Sequence, residues 1–207
     1  MEQMSNQQRM EFFCTAQCKG LCNEALKKAV IGLLKEDRVQ HVLGCADTAV
    51  ALARRWGADE TDAYRAGMLH DVTKALDGAM QIALCEKLGL TVAPFLLDNP
   101  KTLHLVTGAA VAKRVFGEND AVCDAICFHT TGCAGMNTLQ KIIYIADYME
   151  PNRNFDGVET LRHLAETDLD SALKMGLEMT AAHLRQQGKQ VCAYSIDALN
   201  DIQKERT

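Results

Sequence analysis

The chain has 207 residues, 48% hydrophobic and 24% charged, with a formal net charge of −5 and a sequence pI near 5.7. That length suits one domain with a sizeable core better than two small ones, and the composition is ordinary for a water-soluble globular protein. The acidic balance argues against a general nucleic-acid binder, which would carry a basic face, and no apolar run reaches the length of a membrane span.

The amino terminus, MEQMSNQQRM, is polar and lacks the apolar core of a secretory signal. Nine cysteines with no CxxC pair match neither a zinc-ribbon nor a redox pattern. Free thiols in such a chain suggest a reducing compartment, hence the cytoplasm. Cys14, Cys18 and Cys22 recur at every fourth position, which predicts one thiol-bearing face of an extra helix. It belongs to an amino-terminal helical extension over residues 1–24, ahead of the main domain over 25–207.

Only three prolines (Pro94, Pro100, Pro151) interrupt the chain, and apolar residues recur at three- and four-residue spacing, so an all-α helical bundle is expected. HVLGCADTAVALARRW sets Val42, Ala46, Ala49, Val50 and Ala53 along one helical face, and Gly57 ends that helix. ADETDAYRAGMLHD restarts with acids in the first turn, where they suit the helix dipole. DGAMQIALCEKLGL is a further amphipathic helix, followed by a break around Pro94 and Pro100. From His104 to Phe116 a helix rich in small residues is predicted. NTLQKIIYIADYMEP opens on an Asn137–Gln140 capping box and ends before Pro151. The last long helix, TDLDSALKMGLEMTAAHLRQQG, is expected to be capped by Thr167 and closed by Gly188.

Chemistry-bearing residues fall at helix ends. His41 lies near the start of one predicted helix, His70 and Asp71 end another, His104 begins a third and His129 closes NDAVCDAICFH. Asp147 sits on an apolar face, one turn beyond Ile143. A carboxylate in such a stripe must be paired or bind a metal, because an isolated buried charge is costly. Imidazoles with carboxylates suit iron, manganese or zinc, and the lack of thiolates tilts away from a structural zinc site. Singly, each histidine is more often surface or core than ligand, and His163 and His183 fit no pattern. The ordered set over successive helices is what points to a metal.

HVLGCADTAVALA, AGMLHDVTK, LHLVTGAAVA, ICFHTTG and IYIADYMEPNR occur in the order found in the HD-domain superfamily of metal-dependent phosphohydrolases, which the chain resembles. RVQHVLGCADTAVALARRWGAD and IADYMEPNRNFDGVETLRHLAETDLDSAL are similar to the bacterial YqeK-type subfamily, symmetrical hydrolases of diadenosine tetraphosphate. The resemblance runs from about Ala25 to about Asn200.

It implies an all-α HD-domain bundle that cleaves dinucleoside tetraphosphates into two nucleoside diphosphates, with a metal-activated hydroxide at a di-metal site. By the resemblance the metal ligands are His41, His70, Asp71, His104, His129 and Asp147, with Asp71 bridging. Asp71 and Lys74 are the catalytic candidates, and Arg38, Lys74, Thr130, Arg153, Gly188 and Lys189 the substrate contacts. Iron, as a di-iron centre, is the implied cofactor, with manganese or another divalent transition metal as alternatives. The implied partner is a small dinucleoside polyphosphate, without nucleic acid or membrane, and a homodimer is compatible with the sequence. Two other readings stay open: another HD-domain nucleotide phosphohydrolase, such as a nucleotidase or cyclic-nucleotide phosphodiesterase, and a non-catalytic nucleotide-binding regulatory module. The latter would be expected to lack ligands, and none is missing. The subfamily usually carries a His-Pro pair after its last glycine-containing turn, where this chain reads VCAYSIDALN. That departure bears on nucleotide contacts at this end and on none of the metal ligands.

Overall fold

The structure, a computed structural model, describes residues 3–204. Among these residues the secondary structure is all helical: α1 (Asn6–Thr15), α2 (Asn23–Leu33), α3 (Glu36–Trp56), α4 (Glu60–Leu69), α5 (Gly78–Lys87), α6 (Pro94–Leu97), α7 (His104–Val111), α8 (Asp120–Phe128), α9 (Thr138–Met149), α10 (Val158–Thr167), α11 (Leu169–Gln186) and α12 (Ala193–Lys204). No helix among them is long and apolar enough to cross a membrane.

Side-chain caps set many of the helix starts. Asp59, Asp77, Asn119 and Asn137 each accept from the backbone N–H three residues on, meeting a donor that the first turn leaves unpaired. Asn137 and Gln140 form the expected reciprocal box. Gly57 ends α3 with φ 71°, a left-handed conformation that a residue with a Cβ rarely adopts.

Helices α3, α4, α8 and α9 pack on one another at the centre, with α7 against α8. The α3–α4 crossing is close because the facing residues are small. A Cβ placed on Gly67 would lie 2.7 Å from the Ala46 Cα. Ala46, Ala49, Ala53, Ala63 and Ala66 around that seam are fully buried. Val50 is only half-buried, and Cys45 and Leu52 complete the buried face of α3 instead. The short crossing brings the first turns of α3 beside the end of α4, and so His41 beside His70.

The amino-terminal segment adds to the same core through Met10 and Phe13. Arg9, almost wholly buried, donates from its guanidinium to the carbonyls of Leu33 and Leu34 at the end of α2. These carbonyls lack helical partners, and a cation there suits the dipole. The expectation of one helix bearing Cys14, Cys18 and Cys22 is corrected. Helix α1 stops at Thr15, Ala16 is extended, and Cys18 donates its backbone N–H to Val115 O at 2.7 Å. Gly20 then turns the chain at φ 72°, and Cys22 is the residue before α2.

Two further expectations change. The cap of α11 is Asp168, whose side chain accepts from Ser171 N, while Thr167 ends α10 and bonds back to the His163 carbonyl. The helix from His104 is regular only to Val111; residues Ala112–Phe116 widen into a π-helical turn that ends at Gly117. Beyond Gly188 the chain forms α12, packed against α11.

Candidate metal centre

Six side chains from five places in the bundle converge. His41 comes from the second turn of α3, His70 and Asp71 from the end of α4, His104 from the start of α7, His129 from the end of α8 and Asp147 from the last turn of α9. His70, Asp71, His104 and His129 are each 2% exposed or less.

The orientation of each ring is set at Nδ1. His70 donates to Gly67 O, His104 to Lys101 O and His129 to Ile126 O, each at 2.7 Å. A main-chain carbonyl can only accept, so Nδ1 carries the proton and Nε2 offers its lone pair inward. For His41 the Nδ1 partner is a carboxyl oxygen of Glu150 at 3.2 Å. The Nε2 atoms then approach in pairs, His41 with His70 and His104 with His129, each 3.2 Å apart. Two acceptors facing each other are an arrangement that a cation satisfies.

Asp71 lies between the pairs. Its Oδ1 is 3.5 Å from His104 Nε2 and 3.7 Å from His129 Nε2, whereas Oδ2 is 3.7 Å from His41 Nε2 and 3.6 Å from His70 Nε2. Asp147 Oδ1 joins the second set at 3.1 Å from His41 Nε2. Asp71 Oδ1 is buried and makes no hydrogen bond, an orphan that normally calls for an ion or water. Two triads, His41–His70–Asp71 and Asp71–His104–His129, thus share one carboxylate.

Electrostatics favours the ligating forms. Burial pushes the His70 imidazole down to about 4 and lowers His104 well below the usual range, with Lys74 adding to the latter. Burial acts to raise the Asp71 and Asp147 carboxyls, yet both lie well below the ordinary carboxylate range, Asp71 with the Lys74 ammonium 3.4 Å from its Oδ1. Neutral imidazoles and ionised carboxylates are the states that bind metal. The donor set, nitrogen and oxygen without sulfur, fits a divalent transition metal.

Basic groups surround the cluster. Arg38 approaches Asp71 Oδ2 at 3.4 Å, and Lys74 Nζ lies 3.4 Å from Asp71 Oδ1 and 2.9 Å from His104 Nε2. Arg153 grips Asp147 twice, at a side-chain oxygen (2.7 Å) and at the carbonyl (2.8 Å). Asp147, His129, Thr130 and Arg153 also line a cavity of about 850 Å³ that continues between α9 and α11. Tyr144, Tyr148 and Phe155 give that cavity an aromatic wall, with the tyrosine rings stacked and Phe155 edge-on to Tyr148.

Of the sequence-expected contacts, Arg38, Lys74, Thr130 and Arg153 adjoin the cluster or its cavity. Gly188 and Lys189 lie beyond Gln186, the last cavity-lining residue, and the exposed Lys189 amine donates to the Gln187 side chain. Sequence reasoning overlooked Glu150 as a separate group, although it stands inside the quoted segment YMEPNR. It also left His183 unassigned, and His183 lines the cavity. An acid directly before a proline at a helix end was the available signal for Glu150.

Residues 38–152 match the HD domain model. The chain is 41% identical over 161 residues to the symmetrical bis(5'-nucleosyl)-tetraphosphatase of Bacillus subtilis (strain 168), covering 76% of this chain and 85% of that protein. It is 35% identical to the protein of the same name from Staphylococcus aureus (strain NCTC 8325 / PS 47), covering 86% and 92%. A crystal structure described as a predicted HD superfamily hydrolase involved in NAD metabolism, from Clostridium acetobutylicum, superposes with a TM-score of 0.85 at 37% identity, over 89% of this chain and 98% of that one.

Proposed function

The chain belongs to the HD-domain family, and from that premise we propose that it is a divalent-metal-dependent hydrolase cleaving diadenosine tetraphosphate, and related dinucleoside tetraphosphates, symmetrically into two nucleoside diphosphates. The carrying observation is the double use of Asp71, one oxygen toward each histidine pair. An imidazole offers one nitrogen to one ion, whereas a carboxylate can serve two.

His41, His70, Asp71, His104, His129 and Asp147 would hold the metal. Iron, as a pair of ions, is our assignment; its preference for mixed imidazole and carboxylate donors is shared by manganese. When bound, the ions supply positive charge to phosphate oxygens and acidity to the attacking water.

The chain's own residues do the rest. Arg38 and Lys74 flank Asp71 on opposite oxygens and offset charge on the tetraphosphate. Arg153, with a planar fork suited to phosphate oxygens, adds bidentate contact. The cavity takes one nucleoside against Tyr148 and Phe155 and leads its phosphates toward His129 and Asp147, which line the same space. Thr130, beside His129, contributes a hydroxyl there. The leaving group is a nucleoside diphosphate, already a stable anion, so no strong general acid is required. The nine free cysteines fit a reducing compartment, and we assign the protein to the cytoplasm.

Asp71→Ala tests the reading. Turnover of diadenosine tetraphosphate by the metal-loaded protein should vanish, while circular dichroism stays helical. His163→Ala, on an exposed face, should retain full activity. Activity surviving in Asp71→Ala would remove Asp71 from its place in the mechanism.

A further inference from the structure

Three of the four inward-facing histidines are oriented by main-chain carbonyls within their own turn. His41 is the exception, and its partner comes from 109 positions away in the chain. Glu150, 1% exposed at the end of α9, turns one carboxyl oxygen to His41 Nδ1 at 3.2 Å. Its other oxygen accepts from the backbone N–H and the side-chain amide of Asn152, both at 2.8 Å. Arg162 braces the same turn by donating to the carbonyls of Met149, Glu150 and Arg153. The opposing helix leaves room for this carboxyl group because position 44 is glycine. A Cβ there would lie 2.5 Å from Glu150 Oε2 and 3.3 Å from the Asn152 amide nitrogen.

We infer that Glu150 is a positioning residue for the metal centre: it fixes His41 with Nδ1 protonated and Nε2 facing the cluster, and Gly44 is the glycine that admits it. The inference rests on the metal reading of His41 given above. A carboxylate behind a ligating histidine sets the ring's tautomer and raises its donor strength, and losing such a partner costs about ten- to a hundred-fold in metal affinity. Local carbonyls hold the other three rings without help from another helix. His41 alone depends on a contact between α3 and the end of α9, so the placement of one ligand reports on how those helices are docked.

Two variants probe the contact from opposite sides. Glu150→Gln keeps the size of the group but puts amide hydrogens where Asn152 also offers donors, or turns them to His41. Gly44→Ala leaves Glu150 intact and displaces it; helix propensity alone favours alanine in α3, so a glycine with no part in placing Glu150 predicts an equally or more stable protein with unchanged metal binding. Zn²⁺ is a suitable spectroscopically silent probe, its affinity read by chelator competition. The tautomer of His41 is read from long-range proton–nitrogen NMR spectra of the metal-free protein. Both variants should weaken Zn²⁺ by about ten-fold or more and convert His41 from the Nδ1-protonated form to a mixture. Unchanged affinity and an unchanged His41 tautomer in Gly44→Ala would overturn the inference, even if Glu150→Gln failed to fold. Failure of the wild-type protein to bind Zn²⁺ would instead count against the metal reading, with the His41 tautomer still deciding the role of Glu150.

Discussion

Arg153 shows how one residue serves two neighbours. Its guanidinium is a little over one-third exposed and lines the cavity, yet two of its donors rest on Asp147. A phosphate entering the cavity competes for that fork. Hydrogen bonds to charged groups contribute about 1.5–3 kcal/mol, so Arg153→Ala should lower kcat/KM for diadenosine tetraphosphate by about ten- to a hundred-fold. Arg153→Lys should recover part of it, because a lysine supplies charge without the fork. Metal content, measured on the same preparations, should hold, since Asp147 still faces His41 at 3.1 Å. Full activity in Arg153→Ala, or loss of metal, would contradict this division of labour. The histidines and acids around Asp147 were legible in the sequence because each stands at a helix end, in a set order. The acid before Pro151 and the glycine inside α3 are both visible as local irregularities, but their roles were not legible, since Glu150 and Gly44 meet only where α3 packs against the end of α9.

At the scale of elements, the site depends on how closely α3 and α4 cross. Gly67 meets backbone, the Ala46 Cα, and not the movable end of a side chain. Gly67→Ala therefore cannot be absorbed by a rotamer change, and overpacking of this kind costs about 1–3 kcal/mol. For a chain of this length that lowers Tm by about 2–4 °C per kcal/mol, which thermal denaturation would read. A Tm at or above wild type would show that the crossing has slack. The helices themselves were readable from caps and periodicity: Asn137 with Gln140, and Gly57 after α3, stand as expected. The misses share one physical origin. Thr167 and Asp168 are both good caps, and only the three-dimensional turn shows that Asp168 reaches Ser171 N while Thr167 bonds backward. The spacing of Cys14, Cys18 and Cys22 imitates a helix, but a long-range backbone bond from Cys18 to Val115 holds that stretch extended. The π-helical turn at Ala112–Phe116 likewise has no local sequence mark.

Across the whole molecule, a central bundle gathers six ligand-type side chains at one point, basic groups flank them, and an aromatic cavity opens alongside. The fold class and the order of the cluster were visible in the sequence because helical periodicity and motif order are one-dimensional properties. The cavity was not, since Tyr148, Phe155 and His183 come from separate elements and meet only through the packing of α9 and α11. The central claim is symmetrical cleavage at this centre, and the direct measurement is the product set. Protein purified without oxygen and loaded with iron should convert diadenosine tetraphosphate to ADP as the sole nucleotide product. ATP appearing together with AMP would contradict the account.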